Sequence, residues 1–72
     1  MNDNRIEAGD LVDVYFTTSE SLFGVEVLRM PGDVGDCWIL RQVIKDFLMD
    51  TAIIHNVILF EKMTLIKKGS RP

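Results

Sequence analysis

The chain has 72 residues, the length of one domain that buries only roughly 60% of the surface its unfolded form exposes. With 47% apolar and 26% charged residues the composition is that of a folded globular chain and excludes wholesale disorder. The net charge of −3 disfavours a strong general attraction to nucleic acid, which Lys and Arg carry by neutralising phosphates.

The chain opens on "MNDNRIEAGD", a polar lead over residues 1–8 without the apolar stretch of an export signal. Nowhere does an apolar run approach the roughly 18 residues that cross a bilayer. The single cysteine, Cys37, has no internal disulfide partner. Together these features lead us to expect a cytoplasmic protein with no membrane association.

"GDLVDVYF" follows with period-two alternation, Val12, Val14 and Phe16 on one face and Leu11, Asp13 and Tyr15 on the other. Its β-branched and aromatic content predicts a strand. The polar "TTSES" makes a turn, and "LFGVEVLRM" resumes the alternation, with Phe23, Val25 and Val27 opposite Gly24, Glu26 and Leu28. Strands joined this closely pair antiparallel. Gly24, inside the second strand, marks a bulge or a sharp bend of the kind that curls a sheet.

"PGDVGD" is a corner: Pro31 fixes φ, Gly32 tolerates positive φ, and Asp33, Gly35 and Asp36 are turn formers. A third strand is predicted over residues 36–42, with Trp38 and Leu40 on one side and Cys37, Ile39 and Arg41 on the other. Leu40, Val43, Ile44, Phe47 and Leu48 also fit a helical stripe, and a short helical segment is predicted near residues 43–49. "TAIIHNV" reads as a fourth strand, "ILFE" as a tight turn and "KMTLIKK" as a fifth strand, before a frayed tail over residues 69–72. Half of the basic residues, Lys62, Lys67, Lys68 and Arg71, stand in this last part, and Asp3, Glu7, Asp10 and Asp13 make the first part acidic.

Five short strands, a glycine within the second and a tight turn before the last resemble the small barrels of the SH3-like and Sm-like kind. In the Sm-like family the last strands are preceded by an apolar residue, a basic residue and a glycine. The nearest match here is Ile54, His55 and Asn56, and asparagine tolerates the left-handed conformation that glycine favours. The resemblance implies a mainly β protein, a small five-stranded barrel forming a single domain over residues 1–72. With the aromatics Tyr15, Phe23, Trp38 and Phe60, which could stack bases, and the basic C-terminal part, it leaves a nucleic-acid-binding barrel, for RNA or single-stranded DNA, as the alternative, with Tyr15, His55, Asn56, Lys67, Lys68 and Arg71 as candidate contacts.

Catalytic chemistry finds little support. Cys37 and His55 could form a nucleophile and its base, but Cys37 lies in an apolar strand where free cysteine packs as a small hydrophobe. One Cys and one His do not make a zinc site, "GDVGD" lacks the spacing of a calcium loop, and no glycine-rich phosphate motif is present. We expect no enzyme and no cofactor.

The apolar excess in a short chain points instead to a non-enzymatic interaction or assembly module. Leu11, Tyr15, Leu22 and Leu28, opposite the presumed core, are its expected surface, and a homo-oligomer or a foreign protein its expected partner. The acidic balance favours this reading over nucleic-acid binding. A lone small barrel without a recognisable catalytic site also resembles the accessory proteins of phages and mobile elements.

Overall fold

The computed structural model describes residues 5–32 and 35–69. These form β1 (Leu11–Tyr15), β2 (Ser21–Arg29), β3 (Trp38–Lys45), β4 (Asp50–Val57) and β5 (Lys62–Lys67). All neighbours pair antiparallel in one sheet of order β4-β3-β2-β1-β5, so β4 and β5 are its edges. The protein is mainly β, as the sequence implies.

Segment 43–49 contains no helix. Val43, Ile44 and Lys45 extend β3, pairing with Ala52, Thr51 and Asp50. The chain then reverses at residues 46–49, where Asp46 N–H donates to the Met49 carbonyl (3.1 Å) and the Asp46 carboxylate accepts Phe47 N–H (2.6 Å). The spacing of apolar residues fits a helix, but Val43 and Ile44 are β-branched and favour a pleated ladder. An aspartate that binds its own local backbone favours the turn.

The core is a face of alternating strand residues. Val12, Val14, Val25, Val27 and Leu40 are fully buried and Val57 nearly so. Ile6, Phe16, Leu22, Met30, Trp38, Phe60, Met63 and Leu65 pack around them. Trp38 stands edge-on to Phe60 with ring centroids 6.3 Å apart, beside the core as its position in the third strand predicts.

One face assignment is reversed by a bulge. Val12 pairs with Val25 but Val14 pairs with Leu22, so β2 carries one extra residue at this point. Gly24 supplies the left-handed turn (φ 63°), and its N–H donates to the Asp13 carboxylate at 2.9 Å. An extra residue inverts the in-and-out parity beyond it. Phe23, expected inside, is therefore 62% exposed and lies edge-on to Tyr15, whereas Leu22, expected on the outer face, packs against the core.

The sheet curls strongly. Residues 58–61 join β4 to β5, which stand at opposite edges. In a flat sheet four strand intervals would separate these edges by roughly 19 Å, beyond the roughly 17 Å that five extended steps can span. Among the described residues no ladder joins β4 to β5. Instead the connection crosses the gap, with Phe60 against the core and Glu61 N–H donating to the Tyr15 carbonyl (2.8 Å).

The segment just before β1 and the two residues just after β5 are tied together. Ile6 packs on the core. The fully buried Asp10 carboxylate accepts Glu7 N–H (2.8 Å), Gly69 N–H (2.7 Å) and Lys68 Nζ (2.9 Å). A Cβ on Gly69 would stand 2.5 Å from the Gly9 carbonyl oxygen, so only glycine fits. Residues 70–72 lie outside the described residues.

Candidate interaction surface

The β3–β4 hairpin is regular along its whole length, from Trp38 opposite Val57 to Lys45 opposite Asp50. Only its base is built into the core, through Trp38, Leu40 and Val57. From Arg41 outward, Gln42 and His55 alone are half-buried and every other strand residue of the hairpin up to its tip is exposed.

Most of what the hairpin exposes is apolar. Val43 and Ile54 lie on the outer face and Ile44 and Ile53 on the inner one, and all four are solvent-exposed. At the tip Phe47 is 95%, Leu48 87% and Met49 66% exposed. The polar interruptions are few. Gln42 Oε1 and His55 Nε2 lie 2.9 Å apart across the ladder, Lys45 faces Asp50 at the far end, and Arg41 pairs with Glu26 of β2 near the base.

A two-stranded ribbon with solvent on both faces is only marginally stable in water, and soluble proteins rarely expose so many adjoining large apolar side chains. The hairpin thus carries most of the large apolar side chains exposed among the described residues.

The four residues expected from the sequence to form an interaction surface are less exposed than the hairpin: Leu11, Tyr15, Leu22 and Leu28 are all half-buried, Leu22 packing against the core. Tyr15 is flanked by Phe23, with the Lys62 Nζ 5.9 Å from its ring centroid. The apolar excess recognised from composition is concentrated in "QVIKDFLMDTAII". Its helical spacing disguised a hairpin there.

The residues expected to contact nucleic acid do not converge. Tyr15 pairs with Lys62, whereas Lys67 pairs with Leu11 at the other end of β1. His55 and Asn56 lie on β4, at the opposite sheet edge. His55 shares a shallow groove with Phe16, Glu20, Ser21 and Leu22. Lys68 is committed to the chain ends, through Asp10, Glu7 (3.4 Å) and the Arg5 carbonyl (3.0 Å). Arg71 lies outside the described residues.

Burial alone would raise the Asp10 pKa, but the N–H groups of Gly69 and Glu7 and the ammonium of Lys68 outweigh it and lower the value to about 2. The hydrogen bond to Asp10 raises that of Lys68. The same bonds clasp the segment before β1 to the residues after β5.

Cys37 and His55 are not brought together. His55 pairs with Leu40, three positions along the strand from Cys37 and therefore roughly 10 Å away. Cys37 is a half-buried free thiol that lines a small apolar cleft with Met30, Ile39, Arg29 and Gly35. Among the described residues no three His, Cys, Asp or Glu side chains stand where they could share a metal ion. Nor is any helix there long and apolar enough to cross a membrane.

Comparison with protein-family models, with curated proteins and with solved structures finds no match to this chain.

Proposed function

We propose that the protein is a non-enzymatic interaction module whose docking surface is the β3–β4 hairpin. The observation that carries this reading is the exposure of Val43, Ile44, Phe47, Leu48, Met49, Ile53 and Ile54 on one projecting ribbon. The core is complete without them, since the buried cluster draws on the base of the hairpin and on the other strands. Their burial against a partner would contribute on the order of 25 cal/mol per Å² of apolar surface removed from water.

The test is a comparison of the wild-type chain with a Phe47→Ser, Leu48→Ser variant. Both should give the same β-sheet circular dichroism spectrum. Chemical cross-linking in the cells that make the protein should trap the wild type in complexes, with itself or with another protein, that the variant fails to form. Complexes unchanged by the double substitution would place the docking surface elsewhere.

A nucleic-acid reading rests on Tyr15, Phe23 and Lys62, an aromatic pair beside an ammonium on the outer face. Its mark would be salt-dependent fluorescence anisotropy of a labelled single-stranded oligonucleotide, lost on Phe23→Ala.

A further inference from the structure

The two edges of the sheet are not alike. β5 is six residues long with Lys62 and Lys67 at its ends and Lys68 just beyond. Lysines on an edge discourage another strand from joining it. β4 is eight residues long, "DTAIIHNV", without lysine, arginine, proline, glycine or bulge, and its ladder with β3 is unbroken. Its outer side offers a row of backbone N–H and C=O groups that, among the described residues, no strand pairs. Such an edge is a template for one more strand.

Resting on the reading of the hairpin as a docking surface, we propose that β4 pairs antiparallel with β4 of a second copy of this chain. A two-fold axis normal to the sheet near Ile53 joins the two five-stranded sheets into one. Such an axis keeps each face on its own side, so outer residues meet outer residues.

The resulting neighbours are complementary. On the inner face Ile53 meets its own copy, and Thr51 stands beside the partner's His55. On the outer face Ala52 stands beside the partner's Ile54, and Asp50 beside the partner's Asn56. The apolar residues of both hairpins become contiguous, and each two-stranded ribbon becomes part of a four-stranded one, above the three strands with an apolar face that independent stability needs.

Charge selects the orientation and the edge. Asp50 is the only carboxylate on β4. Antiparallel pairing holds the two copies of Asp50 roughly 20 Å apart, well beyond the roughly 8 Å screening length at physiological salt. Parallel pairing would set them side by side. Self-pairing of β5 would bring Lys62 towards the partner's Lys67.

Sedimentation equilibrium of the full chain over a concentration series tests this, with the expected mass twice the 8.2 kDa of one chain. Ile53→Lys sets two ammonium groups against each other at the axis and should weaken association by roughly tenfold or more. If that variant does not fold, Ala52→Lys, at an exposed outer position, serves in its place. In a Cys37→Ala background, Ile53→Cys should cross-link to its own copy under mild oxidation, far faster than Asn56→Cys.

A monomer at every concentration, a ring of higher mass or a dimer indifferent to both lysine variants overturns the proposal. A monomeric wild type that still loses its cellular complexes on Phe47→Ser, Leu48→Ser overturns the second copy alone and leaves the docking surface standing. If those complexes are absent or unchanged as well, both fall.

Discussion

Asp10 shows how one residue holds the ends of a small domain. A buried carboxylate is costly unless its oxygens are hydrogen-bonded, and here Glu7 N–H, Gly69 N–H and Lys68 supply the bonds. Because these partners lower its pKa from 3.8 to about 2, Asp10 stabilises the fold fully above the unfolded-state value. That contribution is lost as pH falls from about 4 through about 2. A shift of this size corresponds to about 2 kcal/mol. In urea titrations at pH 7, Asp10→Asn should cost about 2–3 kcal/mol and should also flatten stability over that acid window. A variant as stable as the wild type, with its acid sensitivity intact, would show that the clasp contributes nothing.

At the scale of elements, the β3–β4 hairpin divides into a base built into the core and an exposed arm, the proposed docking surface. Leu40→Ala, at the fully buried base, should cost about 2–5 kcal/mol. Phe47→Ser and Leu48→Ser, at the exposed tip, should each stay within about 0.5 kcal/mol, measured on the monomer by dilute thermal denaturation. Equal costs at the two sites would remove the distinction. The sequence made the other strands legible because alternation there reports a core face, as it does for Val12, Val14, Val25 and Val27. It failed where two periods overlap: Leu40, Val43, Ile44, Phe47 and Leu48 satisfy a helix, and only the pairing of Val43 with Ala52 and Ile44 with Thr51 decides for the strand. It failed again at Gly24. The glycine signalled a bulge, but the parity reversal that turns Leu22 towards the core and exposes Phe23 depends on where the extra residue falls.

For the whole molecule, one sheet edge is flanked by lysines and the other, among the described residues, is left open, and that open edge belongs to the hairpin that carries the exposed apolar surface. The expected surface at Leu11, Tyr15, Leu22 and Leu28 follows from the faces of single strands, whereas the proposed β4 pairing follows from strand order, which periodicity does not encode. Amide hydrogen exchange, followed strand by strand as protein concentration is raised, tests the β4 assignment most directly. Association through the β4 edge should slow exchange in Asp50–Val57 as dimer forms, while the exposed N–H groups of Lys62–Lys67 exchange at an unchanged rate. Protection that grows along β5 instead, or that is independent of concentration in both edges, would contradict the account.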